Sequence, residues 1–187
     1  MRSRLILVYT GIASAAVVAC AAAQLERGPE GLRGEKLTRA IAVLSPTSGN
    51  VASGMVTFVQ ERSEVVVTVH VTGLEPNSVH AWHIHEYGDI SGLDGKATGG
   101  HYNPEGRPHA LPSDPDRHAG DLGNLTADAS GHAHKVVRVR NITIGSTRNP
   151  IIGRGVIIHA KIDDGGQPTG NAGGRIAQGV IGIAKPK

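Results

Sequence analysis

Short β-branched runs recur along this chain at intervals too brief for helices. GMVTFVQ (54–60), EVVVTVHV (64–71) and GRGVIIHAK (153–161) are dense in Val, Ile and Thr, which pack well on a pleated surface. RAIAVLS (39–45), VHAWHIHEY (79–87), HAHKVVRVRN (132–141) and GRIAQGVIGIA (174–184) give the same signal less cleanly. Glycine supplies the turns between them, with 26 residues against an aromatic content of only 3 %. No segment carries a helical period and no internal repeat is present. A hydrophobic content of 39 % is enough for one core, so the expected fold is all-β, a sandwich or barrel. One stretch breaks the rhythm. From Gly88 to about Gly131 the chain reads as a single long loop rich in Gly, Pro, Asp and His. A structureless loop of that length in a compact domain usually carries function.

The N-terminus reads as a targeting segment. Arg2 and Arg4 precede an apolar run, LILVYTGIASAAVVA, too short to span a bilayer comfortably. Residues 1–23 are therefore expected to be a signal peptide. Cleavage after Ala23 gives a soluble exported protein. Cleavage before Cys20, in the lipobox-like VVAC, gives an acylated N-terminus and a membrane tether. Residues 24–38 read as a flexible linker and 39–187 as the functional domain. Either cleavage predicts an exported protein: periplasmic, membrane-anchored or extracellular. Cys20 is the only cysteine, so the domain is expected to contain no disulfide of its own. The net charge of +3 falls to 17 basic against 16 acidic residues without Arg2 and Arg4, which argues against nucleic-acid binding.

His83 and His85 are two residues apart in a predicted strand, so both rings project from one face, expected to be aimed inward, with Ile84 on the other. Imidazole suits copper and zinc, but H-x-H alone is a weak signal. By parity His80 belongs with Ile84 and reads as a hydrogen-bonding histidine. His70 and Trp82 likewise read as structural. The long loop adds His101, His109, His118 and Asp121, a donor set suited to tetrahedral zinc. His159 ends GVIIH where another aliphatic would be expected. It forms a possible second group with His83, His85 and one loop histidine.

Those motifs carry a resemblance. WHIHEYGD, GGHYNP, RHAGDLGN, IIGRGVIIHAK and GNAGGRIAQGVIGIA resemble, in order, the motifs of copper/zinc superoxide dismutases. The resemblance spans about Arg39 to Lys185. It implies a Greek-key β-barrel of about eight antiparallel strands with a long metal-binding loop. It further implies one copper per subunit on His83, His85, His101 and His159, and one zinc on His101, His109, His118 and Asp121. His101 would bridge the two. Asp163 matches a carboxylate that hydrogen-bonds ligands of both metals. Arg175 matches an arginine beside the copper, and Lys161 a residue that guides the anion. The implied activity is disproportionation of superoxide to dioxygen and hydrogen peroxide by copper alternating between Cu(II) and Cu(I). His101 and Arg175 would be the catalytic groups. A homodimer is implied, through a strip of Tyr87, Ile151, Ile152, Gly153 and Ile183.

The chain departs from that family in two places. The family's usual disulfide would fall near Asp94 or Gly95 and at Gln178, none of them cysteine. The segment DGGQPTGNAGG (164–174) is shorter than the family's charged loop and carries no Lys or Glu. A non-enzymatic exported copper/zinc-binding protein is the competing reading, although every implied ligand and Arg175 stand. His132 and His134 repeat the H-x-H spacing on a solvent-facing strand and match no ligand role. NLT at Asn124 and NIT at Asn141 are glycosylation sequons by pattern.

Overall fold

A computed structural model describes residues 37–185, so the expected leader and nearly all of the expected linker lie outside the described residues. The strands are β1 (Arg39–Pro46), β2 (Ser53–Glu61), β3 (Glu64–Thr72), β4 (Val79–His85), β5 (Asp121–Thr126), β6 (Ala133–Val139), β7 (Gly155–His159), β8 (Arg175–Val180) and β9 (Gly182–Ile183). A single 3₁₀ turn, Lys96–Thr98, is the only helical element among the described residues. The ladder runs β5-β4-β7-β8-β1-β2-β3-β6, all antiparallel, and the short β9 returns to pair with β1. Its two ends face each other. Lys135 Nζ on β6 reaches the carbonyl of Asn124 on β5 at 2.7 Å, closing the gap with a side chain. The β3–β4 and β6–β7 connections cross between non-neighbouring strands, which makes this the expected Greek-key barrel.

Alternation builds the core. On β3, Val65, Val67, Val69 and Val71 are buried while His70 and Thr72 face solvent. Val56 and Phe58 of β2, Trp82 and Ile84 of β4, and Val156 and Ile158 of β7 join the same cluster. Each such side chain contributes on the order of 1.5–3 kcal/mol by leaving water. On β4 and β7, core residues therefore alternate with His83, His85 and His159, which point away from the barrel interior. The histidines occupy the outer face, roofed by the long loop.

That loop is less irregular than its sequence suggests. It contains β5, whose DLGNLT is poor in strand formers. Pairing with β4 imposes the extended form, through registers such as Val79↔Thr126 and His83↔Asp121, with an irregularity between Ala81 and His83. The preceding segment lies flat on β4. Ile84 N–H donates to Gly120 O, and Ile84 O accepts from Tyr102 N–H, both at 2.9 Å. Gly120 is required there, because a Cβ would lie 2.2 Å from the Ile84 oxygen.

At the positions where the family's disulfide would fall, hydrogen bonds hold the loop instead. Gln178 Nε2 donates to Gly92 O at 2.9 Å, and Ser48 N–H donates to Leu93 O at 2.7 Å. In the expected dimer strip, Tyr87 and Ile183 are exposed but Ile151 is buried in the core, so Ile151 offers no surface to a partner.

Candidate metal centre

The structure brings the candidate histidines into two adjoining groups. His83 and His85 come from β4, His159 from the end of β7, and His101 from the loop, tied to β4 by a bridge to His85. One ligand atom from each lies within 4.8 Å of the others. His101, His109, His118 and Asp121 form a second group on the same criterion, with His101 common to both. All seven residues are buried.

Hydrogen bonds fix which nitrogen each ring presents. His83 Nε2–H donates to Asp163 Oδ2 at 2.9 Å, leaving Nδ1 buried with no partner. His85 Nδ1–H donates to Gly99 O at 3.1 Å, and His159 Nδ1–H donates to Gly173 O at 3.4 Å. Their Nε2 atoms then face each other at 3.3 Å, two lone pairs with no proton between them. Two imidazole nitrogens each about 2.0–2.1 Å from one metal sit roughly that far apart. His83, His85 and His159 thus each keep one unprotonated nitrogen, in a group whose ligand atoms lie within 4.8 Å of one another, and a cation such as copper or zinc fits there.

The second group is organised by Asp121. Its Oδ1 lies 2.8 Å from His101 Nδ1 and 3.2 Å from His118 Nδ1, and its Oδ2 lies 3.0 Å from His109 Nδ1. His109 Nδ1 makes no well-aligned hydrogen bond even so. With Nδ1 of His101 on this side, its Nε2 is left for the first group. Asp163 joins the two groups: Oδ2 takes His83, and Oδ1 accepts from His109 Nε2–H at 2.9 Å.

The electrostatics differ accordingly. Burial, then the neighbouring His101, His159 and Arg175, holds His85 well below its ordinary value. Burial and the facing His83 and His101 lower His159 to about 2. His101 falls to about 4, again through burial, with Asp121 opposing. These rings are neutral at pH 7, the form that binds a metal. Burial alone would lower His109 too, but Asp121 and Asp163 outweigh it and raise it to about 9. Burial works to raise Asp121, and its bonds to the three histidines overcome this and hold it far below the usual carboxylate range. The second group thus has an anionic centre suited to a cation such as zinc.

Arg175 begins β8 opposite His159, across a register irregularity. Its Nη1 donates to Gly95 O at 2.6 Å and Thr98 Oγ1 at 2.9 Å, and its Nη2 donates to Gly99 O at 2.6 Å. Those bonds fix the guanidinium while leaving N–H groups for a ligand. Lys161 is exposed at the end of the same edge, packed along Gly173.

The sequence profile described as "Copper/zinc superoxide dismutase (SODC)" matches residues 52–181. The chain belongs to the copper/zinc superoxide dismutase family. Its fold is similar to a crystal structure described as that of the clock protein EA4. The two are 42 % identical with a TM-score of 0.72, over 81 % of this chain and 98 % of that one.

Several residues that shape this dismutase-family site escaped sequence reasoning. Asn124, read only as a sequon, clamps the backbone of Asp163: its Nδ2 donates to Asp163 O at 2.9 Å and its Oδ1 accepts from Asp163 N–H at 2.7 Å. Gln167 does the same for His109, donating to its carbonyl at 2.6 Å and accepting from its N–H at 3.2 Å. Gly170 packs so closely that a Cβ would lie 2.1 Å from Asp163 Oδ1. His80, expected to be a hydrogen-bonding histidine, sits with Nε2 2.6 Å from Ser78 Oγ and Nδ1 2.8 Å from His159 O.

Proposed function

We propose that this chain is an exported superoxide dismutase with copper at the first group and zinc at the second. The observation that carries this is the buried cluster of His83, His85, His101 and His159, its ligand atoms within 4.8 Å of one another, with His83 Nδ1 unpartnered and a fixed arginine alongside. Copper held by His83, His85, His101 and His159 supplies one-electron exchange between Cu(II) and Cu(I), and zinc held by His101, His109, His118 and Asp121 supplies fixed charge without redox chemistry.

The protein's own residues do the rest. Lys161 and Arg175 draw the superoxide anion in, and the spare N–H groups of Arg175 orient it by charge-assisted hydrogen bonds. His101 stores a proton at Nε2 in one half-cycle and passes it to the departing peroxide in the next. Asp163 holds the rings of His83 and His109 in one tautomer each. Two superoxide anions and two protons become dioxygen and hydrogen peroxide. The family supports superoxide as substrate, and the leader-like N-terminus supports work outside the cytoplasm. Exposed Tyr87 and Ile183 support a homodimer.

Metal analysis and superoxide consumption of the purified mature domain, beside His85→Ala, test the reading. We expect one copper and one zinc per chain and loss of nearly all turnover in the variant. Equal rates in the two proteins would show a non-enzymatic metal-binding protein instead.

A further inference from the structure

We propose that the solvent face of β2–β3–β6 carries a second, exchangeable copper site built on His70 and His134, with Met55 as its thioether donor. These three strands contribute none of the residues of the two buried groups. Met55 pairs directly with His70 across β2–β3, and His70 pairs directly with His134 across β3–β6. Directly opposed residues in antiparallel strands share a face, with Cβ atoms about 4.5–5.5 Å apart. The intervening Val56, Val69, Val71 and Ala133 are buried, so this row points outward. His70 and His134 are exposed and Met55 is 39 % exposed.

The two rings stack with centroids 4.2 Å apart and planes 27° from parallel. The buried first group sets a scale for this distance, since its ring pairs range from 4.0 Å for His83–His101 to 6.5 Å for His83–His85. The surface pair is already at chelating distance. Opening the stack through side-chain torsions turns one nitrogen of each ring toward a common ion, and no backbone movement is needed.

The donor set selects the metal. Two imidazoles bind Cu(II) ahead of Zn(II) and Ni(II), following the general order of divalent affinities. A thioether is a soft donor that holds Cu(I). Among strand neighbours of the pair, Met55 is the one soft donor. Facing solvent, the site can load and unload copper without opening the barrel.

The test uses the full chain with one copper and one zinc already bound. Cu(II) alone is titrated in a non-coordinating buffer, followed by calorimetry and electron paramagnetic resonance. Cu(I) alone is titrated under anaerobic conditions against a chromophoric chelator. We expect one further equivalent of each ion, with nitrogen hyperfine structure for Cu(II). His70→Ala and His134→Ala should each weaken uptake at least tenfold without altering the metal content of the buried groups. Met55→Leu should weaken Cu(I) binding at least tenfold and leave Cu(II) nearly unchanged. His132→Ala, two residues before His134 in the turn that precedes β6, should change neither. The proposal is overturned if the wild type takes up no further equivalent, if either His→Ala variant binds it as well as the wild type, or if uptake depends on His132 instead. Equal Cu(I) affinity in Met55→Leu overturns the thioether assignment.

Discussion

Replacing Asp163 by Asn should separate the two metals. The carboxylate receives three N–H groups at 2.9 Å each: His109 Nε2 and Gly165 N on Oδ1, and His83 Nε2 on Oδ2. Asn has the same shape, but its amide nitrogen donates where a carboxylate oxygen accepted. Keeping the oxygen on the side with two donors preserves two bonds and loses one. The NH2 therefore turns toward His83, donor against donor. A hydrogen bond to a charged group contributes about 1.5–3 kcal/mol. Without it, His83 can take the other tautomer and place a proton on Nδ1, the nitrogen the copper needs. Loss of such an outer partner typically weakens metal binding about 10–100-fold, or about 1.4–2.8 kcal/mol, which agrees with one charged hydrogen bond. We expect copper affinity to fall by that factor and zinc affinity by less than about tenfold, since His109 keeps its acceptor. Chelator competition, run for each metal separately, measures both. Zinc weakened more than copper, or neither changed beyond threefold, would refute the reasoning.

Other expectations follow from the same geometry. Gly170→Ala places a methyl 2.1 Å from Asp163 Oδ1 at a residue with φ of 74°, so zinc affinity and holo-protein stability should both drop, the latter by several degrees in Tm; an unchanged melting curve would count against the close approach. For chelator-treated protein, the histidines whose folded values are lowered, His101 to about 4 and His159 to about 2, cost stability as pH falls below about 6.5. His109, raised to about 9, contributes stability below about 6.5 that is lost as pH rises toward 9. Urea unfolding should accordingly show a maximum near pH 6.5, and a monotonic profile between pH 5 and 9 would contradict these assignments. With no Lys or Glu in residues 164–174, steering rests on Lys161 and Arg175, so the second-order rate with superoxide should fall less steeply with ionic strength than in relatives with a charged loop. A steeper slope measured by pulse radiolysis would exclude that.

Much of this was legible in the chain because strand periodicity is local. The shared face of His83 and His85 follows from a spacing of two, and the strand runs announced an all-β fold. The inward aim expected of that face was wrong. Six of the seven residues of β4 are buried, so burial on both sides erases the usual apolar–polar contrast, and the histidines lie outside the barrel under a loop. β5 was hidden because Asp121, Gly123 and Asn124 are weak strand formers held extended by β4. Asn124 and Gln167 act on partners 39 and 58 residues away, and a single sequence carries no trace of such pairings. His70 and His134 are the reverse case: each looks ordinary alone, and only the register across β3–β6 makes them a pair.

The fastening of the loop to β8 has a further consequence. Gln178 to Gly92 and Arg175 to Gly95 and Gly99 are hydrogen bonds, so they have no reduction potential. Thiols that unlatch a cystine leave them untouched, and re-forming them after unfolding involves no thiol oxidation. With no cysteine in residues 37–185, the fold of this domain is indifferent to the redox state of the compartment that holds it.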